Sequence, residues 1–241
     1  MKRRYLLILL SVLVVGLVGS TSVFASDLTE VSTDAENLIL KVGGADITFE
    51  GGSDKIYISE GIKVLQNDND SLVIKTPRQK KIFNWSWNNE GYEIFIGTEI
   101  DFSNIDIDAG GVKVNGLIRA DKLDIDAGGI DMDVDIIAEK VFVDGAGTDL
   151  EGYIRAEMLE INGAGMDVDI EVEGIQDIIL DGVGMSAYIK YMDSWVGTRN
   201  LSMDGIGSSL DILIPEENNS DQDGELNIDS DSIGSVDIDY Y

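Results

Sequence analysis

The sequence predicts an all-β protein, a parallel β-solenoid in which each coil takes up one sequence repeat. One seven-residue phrase recurs at a constant interval, as IDIDAGG (105–111), LDIDAGG (123–129), VFVDGAG (141–147) and LEINGAG (159–165). Apolar and polar residues alternate along the chain, which is typical of strands with one buried face. Two strands and two turns cannot bury themselves within one such short repeat, but stacked copies can. A β-sandwich needs no constant period and is the second choice.

The first 25 residues predict a secretory signal peptide. A basic start at 2–4 precedes an apolar stretch at 6–18, and Ala25 ends a cleavage site. Residues 5–25 are also just long enough to span a bilayer, so an uncleaved membrane anchor is the alternative. In either case we expect the rest of the chain to be exported, to the cell envelope or the medium.

Residues 26–100 are expected to form an irregular N-terminal β region that caps the solenoid. Strand, small turn and strand are predicted over 38–49, with further strands at 55–59 and 71–75 and a hairpin at 81–97. The end coil of a solenoid needs a cover. We expect this region and the acidic repeats at 101–241 to form one continuous domain.

Each phrase is expected to end in a corner. An Asx side chain can bond the backbone two residues on, and glycine tolerates positive φ, so a structural turn role is predicted for both columns. A linear cation-binding groove is the alternative for the Asx column. The spacing of this column lengthens from 18 to 19, then to 23, and then to 25 at Asp229. The columns contain Asp108, Asp126, Asp144, Asn162, Asp181 and Asp204, with Gly111, Gly129, Gly147, Gly165, Gly184 and Gly207.

The composition excludes several classes of function. The chain has neither cysteine nor histidine, which excludes disulfides, thiolate or imidazole metal sites, and Ser-His or Cys-His nucleophile pairs. The formal net charge is −29, and residues 101–241 contain 7 basic and 33 acidic residues. This field repels nucleic acid and attracts cations, so no nucleic-acid partner is expected.

One predicted face of the repeats is acidic. The alternation places aspartates and a glutamate on the outward side of neighbouring strands, where Ca²⁺ could relieve their repulsion. A solvated outer face without bound metal is the alternative reading. The residues of this predicted calcium site are Asp131, Asp133, Asp149, Glu151, Asp167 and Asp169.

Aromatic residues form the candidate partner-binding surface. Trp85 and Trp87 share one face of the predicted hairpin, and Tyr92 lies across from them. Trp195 lies in an insertion, 193–200, that expands one coil of the predicted solenoid. Exposed aromatic rings suit sugars or a protein partner, although they could instead cover the end of the solenoid.

Three stretches carry a family resemblance: LILKVGGADITFEGG (38–52), DGAGTDLEG (144–152) and NGAGMDVDIEV (162–172). They resemble the bacterial "putative adhesin" domain family, whose function is unknown, over about residues 37–214. The resemblance implies a single-stranded, right-handed β-helix in an exported protein that acts at the cell envelope. It implies no catalytic residues.

The sequence therefore favours a non-catalytic adhesion or interaction module at the cell surface, with a surface polymer or an envelope protein as partner. A membrane-anchored module for envelope stress or regulation is the first alternative. A Ca²⁺-dependent β-helix enzyme acting on polysaccharides is the second. It is less favoured because no nucleophile or base can be assigned to a cleft.

Overall fold

The computed structural model describes residues 28–77, 91–219, 224–230 and 233–241. These residues form an all-β protein, as predicted, and none of their helical structure is long and apolar enough to span a membrane. The predicted signal peptide, Trp85 and Trp87 lie outside the described residues. The elements are β1 Leu28–Val31, β2 Asn37–Val42, β3 Ala45–Glu50, β4 Ile56–Ser59, β5 Lys63–Asn67, β6 Ser71–Lys75, β7 Tyr92–Gly97, β8 Phe102–Ala109, β9 Val112–Ala127, β10 Ile130–Ile137, β11 Lys140–Gly145, β12 Thr148–Arg155, β13 Met158–Glu173, β14 Asp177–Tyr191, β15 Gly197–Ile214, a 3₁₀ turn Glu216–Asn219, β16 Gly224–Ser230 and β17 Ile233–Tyr240.

The strands follow from strict alternation in the sequence. In β10, Met132, Val134 and Ile136 are at most 2% exposed, while the aspartates between them face solvent. Successive side chains of a strand point to opposite faces, so one face of each strand packs into the core. Burying one such aliphatic side chain contributes about 1.5–3 kcal/mol. The core is continuous from Val31 to Ile214.

Parallel ladders join strands at the interval that the repeated phrase predicts. Ile130 of β10 pairs with Thr148 of β12, which pairs with Met166 of β13, an offset of 18 at each step. The offset increases to 19 between β13 and β14 and to 23 between β14 and β15, as predicted. Equivalent residues of successive repeats therefore lie in columns across the sheet.

The N-terminal strands are hydrogen-bonded to the same sheet. β2 pairs in parallel with β8, and β3 pairs in parallel with β9. Antiparallel pairs occur at β1–β4, β4–β7 and β5–β6. The strands predicted at 38–49, 55–59 and 71–75 are confirmed. The strand β5 was not predicted because all five of its residues are exposed and show no alternation.

The last repeat corrects the predicted register. Asp229 was aligned with Asp204 at a spacing of 25, but it pairs with Ser202 at an offset of 27. The connection after β15 contains the 3₁₀ turn, whose Asn218 is held against Trp195, and β16 starts opposite Gly197. A slip of two residues preserves the face of every side chain, so the alternation alone could not reveal it.

Candidate functional site

The acidic face is a group of carboxylates on the outer side of β10, β12 and β13. Parallel strands lie about 4.8 Å apart, so carboxylates at equivalent positions stand side by side. The register gives two complete columns: Asp131, Asp149 and Asp167, and beside it Asp133, Glu151 and Asp169. We define the acidic face by these six residues together with Asp135 and Glu171, which lie in the next column. The array concentrates negative charge on one solvent-facing surface.

Two lysines border the acidic face. Lys113 of β9 donates to Asp131 at 3.2 Å, and Lys190 of β14 donates to Glu171 at 2.8 Å. These hydrogen bonds raise the pKa of both lysines. Within the part of the chain that the structure describes, no lysine or arginine forms an ion pair with the column of Asp133, Glu151 and Asp169. That central column is therefore the part available to an external cation.

Tyr153 interrupts the third column between Asp135 and Glu171. Its hydroxyl donates to Glu173. Burial and this hydrogen bond raise the pKa of Tyr153 to about 12. The phenol therefore stays neutral at ordinary pH and adds an apolar ring beside the carboxylates.

The geometry bears on the predicted calcium site. In residues 28–77, 91–219, 224–230 and 233–241, no group of three or more acidic side chains converges as a set of metal ligands. The carboxylates of a sheet face project side by side, whereas Ca²⁺ takes six to eight oxygens around one point. The six residues thus form an open array, and calcium binding by them stays a prediction.

The corner column is a second array of carboxylates. Register pairs connect Asp108 with Asp126, and so on through Asp144, Asn162 and Asp181 to Asp204. The five aspartates of this column are exposed. Among the described residues, their carboxylates form no hydrogen bond to the backbone, whereas the turn-capping interpretation expected one at each corner. These carboxylates therefore face solvent rather than the turns that follow them.

The corner glycines divide into two groups. Gly165, Gly184 and Gly207 have φ of +66°, +68° and +70°, which is the left-handed region expected at a corner. The three earlier glycines, Gly111, Gly129 and Gly147, do not have positive φ, so their role in the turn does not depend on a left-handed backbone. At those corners a two-residue bend turns the chain instead.

Asp106 lies on β8 beside Asp124 of β9. Partial burial raises its pKa, and repulsion from Asp124 and from Asp108 raises it further, against attraction by Lys41 and Lys122. This carboxyl therefore gains a proton more readily than an isolated aspartate. Asp106 is therefore a position outside the acidic face at which repulsion between carboxylates opposes folding.

Trp195 is buried rather than exposed. Trp195 is 7% exposed, and its ring N–H donates to the carbonyl of Glu225 at 3.3 Å. Asn218 accepts from the Trp195 amide at 3.3 Å and donates to its carbonyl at 2.8 Å. The expectation that Trp195 offers an exposed ring to a partner is therefore wrong. The insertion folds back onto the last repeat and packs the ring inside it.

A buried arginine, which sequence reasoning missed, completes this cluster. Arg199 is 3% exposed, and its guanidinium donates to the two carboxylate oxygens of Asp193 at 3.1 and 2.6 Å. It lies 4.4 Å from the centre of the Trp195 ring and 5.6 Å from that of Tyr191. In the part of the chain that the structure describes, the hydroxyl of Tyr191 and the Nε of Arg199 are buried without a hydrogen-bond partner. The insertion is thus a structural element.

Tyr92 is half-buried and packs against the core at the start of β7. Of the four predicted aromatic contacts, the structure therefore describes Tyr92 and Trp195, and it does not bring them together. No sequence signal marked Asn218 as the partner of Trp195, because the two residues lie 23 positions apart.

Comparisons with known proteins give structural similarities at low identity. No family model matches the sequence, and no curated protein matches it. The chain is similar to a "putative adhesin" from Bacteroides fragilis, with 16% identity, a TM-score of 0.49, and coverage of 89% of this chain and 98% of the other. It is similar to a "putative adhesin" from Parabacteroides distasonis, with 13% identity, a TM-score of 0.45, and coverage of 89% and 96%. A "putative lipid binding protein" from Parabacteroides distasonis has 15% identity, a TM-score of 0.43, and coverage of 89% and 96%.

Proposed function

We propose that this chain is an exported, right-handed parallel β-solenoid of the "putative adhesin" kind, which acts as a non-catalytic interaction module at the cell surface or in the envelope. The parallel ladders, with their constant offset of 18, support one coil per repeat. The pattern of a basic start, an apolar stretch and Ala25 supports export. The acidic face is the surface that we propose for contact.

The register of the acidic face carries this proposal. Three successive strands present carboxylates in aligned columns, and the central column has no ion pair to a basic residue among the described residues. Aligned like charges on neighbouring strands destabilise a sheet, so a function is a reason to keep them. A partner with regularly spaced cationic groups, on a surface polymer or an envelope protein, would relieve the repulsion.

The proposed role is binding rather than catalysis. The carboxylates of the central column are exposed on a sheet face. General acid–base catalysis requires a carboxyl group held in a cleft next to the reacting atoms. A flat array with a repeating spacing suits an extended cationic partner better than a small substrate.

The test compares two variants of the full chain that lose the same charge. The first removes the central column as Asp133→Asn, Glu151→Gln and Asp169→Asn. The matched control removes three corner carboxylates as Asp126→Asn, Asp144→Asn and Asp181→Asn. Binding is measured on surfaces coated with polylysine, with a polyglutamate surface as the blank.

Exposed ion pairs are individually weak, so loss of the central column is expected to weaken binding roughly tenfold rather than to abolish it. The corner variant is expected to bind nearly as the parent chain does. Equal losses in the two variants would show that net charge alone drives binding, and the proposed contact surface would then be rejected.

Export is tested separately from binding. We expect a mature N-terminus at Ser26 in the medium or the soluble envelope fraction, read by N-terminal sequencing. An intact N-terminus in the membrane fraction would instead favour the anchored, regulatory alternative.

A further inference from the structure

The last strand of the sheet has an open edge. β17 pairs in parallel with β15, and among the described residues no other strand forms a ladder with it. The backbone N–H and C=O groups on an open edge can accept an added strand. Two strands, β14 and β15, separate this edge from the acidic face, and β14 presents Ser186, Tyr188 and Lys190 on the outward side.

The orientation of the edge follows from the backbone hydrogen bonds of Tyr241. Its amide donates to Ile214, and its carbonyl accepts from Glu216, so both groups point toward β15 and the segment after it. Alternate residues of a strand direct these groups to opposite sides. The amides of Tyr240 and Ile238 are therefore directed to the open edge.

The apolar columns of the core reach solvent at this edge. Ile189, Ile212 and Ile238 are register partners in β14, β15 and β17. The first is 0% exposed and the second 2%, but Ile238 is 41% exposed. Tyr240, whose partner Ile214 is 3% exposed, is itself 45% exposed. The inward face of β17 thus presents apolar surface that a further strand would cover.

The outward face of the same strand is acidic. Asp237 and Asp239 alternate with the apolar residues of β17, and Asp211 lies opposite Asp237 on β15. A shallow depression between these strands is lined by the three aspartates together with Tyr188 and Leu213. The sequence contains no lysine or arginine after Arg199. An occupant of this edge therefore meets alternating apolar and negatively charged positions.

We propose that the open edge of β17 binds an extended segment of a partner protein in which basic and apolar side chains alternate. Such a segment adds as a strand, with its apolar residues over Ile238 and Tyr240 and its basic residues beside Asp237 and Asp239. Backbone pairing supplies affinity in this mode of recognition, and alternate side chains supply specificity. A second copy of this chain is disfavoured because its own Asp237 and Asp239 would approach the same two carboxylates.

The probe is a labelled ten-residue peptide that alternates lysine and valine, titrated against the full chain by fluorescence anisotropy. Two peptides serve as controls, one alternating glutamate and valine and one alternating lysine and glycine. We expect the lysine–valine peptide to bind at least about tenfold more tightly than either control, since each control lacks one of the two complementary features.

Two variants of the chain separate charge from backbone pairing. The double variant Asp237→Asn with Asp239→Asn should bind the lysine–valine peptide about tenfold more weakly than the parent chain does. Ile238→Pro removes an amide directed to the open edge, where proline is tolerated, and Ile238→Ala removes the side chain alone. We expect Ile238→Pro to bind more weakly than Ile238→Ala, with unchanged circular dichroism in both.

Three results would overturn the proposal. The first is equal binding of the lysine–valine and lysine–glycine peptides, and the second is equal binding by Ile238→Pro and Ile238→Ala. The third is a concentration-dependent dimer in size-exclusion chromatography that Ile238→Pro abolishes, which would assign the edge to a second copy. The central-column substitutions lie outside β17 and leave its open edge intact. The polylysine assay therefore tests the proposed function, and the peptide assay tests the β17 edge, so failure of one is distinguishable from failure of the other.

Discussion

Replacement of Asp193 by alanine tests whether the insertion at 193–200 is held by a buried ion pair. The change leaves Arg199, which is 3% exposed, without the acceptor of its hydrogen bonds at 3.1 and 2.6 Å. Removal of one partner of a buried pair costs about 3–5 kcal/mol because the remaining charge is uncompensated. The side chain of Asp193 is itself 30% exposed, so part of its charge is screened by solvent. We therefore expect the lower end, a loss of about 3 kcal/mol in the free energy of unfolding.

The loss is measured by urea denaturation of the full chain, followed by circular dichroism and tryptophan fluorescence. The double variant Asp193→Ala with Arg199→Met removes the unpaired charge and should recover at least about 1 kcal/mol relative to the single variant. Glu171→Ala breaks a half-exposed pair with Lys190 and serves as the control, with a much smaller effect expected. A loss below about 1 kcal/mol, or a double variant no more stable than the single one, would refute the role of the pair.

The same pair makes stability depend on pH. Burial opposes ionisation of Asp193, but the hydrogen bond and charge of Arg199 outweigh it and hold the pKa of this carboxyl below its usual value. A carboxyl with a depressed pKa in the folded state stabilises the protein above its unfolded pKa of about 3.9. That contribution is lost as pH falls through the folded pKa. The difference in the free energy of unfolding between the parent chain and Asp193→Asn should therefore decrease as the pH falls from 6 to 2.

Three further predictions concern charge and packing. In thermal melts, Ca²⁺ and Mg²⁺ should raise the midpoint equally, because the acidic face does not converge. A calcium-specific gain of about 2.7 kcal/mol, the value expected for a ligand at roughly 100 times its Kd, would contradict this. Asp106→Asn should stabilise the chain at pH 7 by no more than about 0.5 kcal/mol after solvent screening. This gain should vanish as pH falls through the raised pKa of Asp106. A loss of stability at pH 7 would contradict the prediction. Gly152→Ala should cost about 3 kcal/mol in urea denaturation, because φ is +135° and a Cβ would collide with the carbonyl oxygen of Val134, whereas Gly147→Ala, in open space, should cost far less.

The sequence predicted the strands and their register wherever the repeat was regular. The phrase at 105–165 carries both the alternation, which assigns each side chain to a face, and the interval of 18, which assigns its neighbour. Both signals are local, so the columns of the acidic face could be read from the residues alone. Among the repeats that the structure describes, the predicted register was wrong at Asp229, where an intervening polar segment changed the offset by an even number of residues.

The environment of the insertion could not be predicted in the same way. The burial of Trp195 depends on Asn218 and on the carbonyl of Glu225, which lie 23 and 30 residues later and outside any repeated phrase. An isolated tryptophan between Ser194 and Val196 gives no indication of such partners. Side chains that close an irregular connection are selected by tertiary contacts, which periodicity does not encode.

The constant offset of the central ladders has a consequence for how such a chain can change in length. Gain or loss of one repeat unit, such as 130–147, would bring the flanking strands into the same alignment that they already have, because Val112, Ile130 and Thr148 occupy one column. The acidic surface would lengthen or shorten by a single row while every other side chain kept its face. The width of this surface therefore changes in steps of one strand when a whole repeat unit is gained or lost, and the register of the core is preserved.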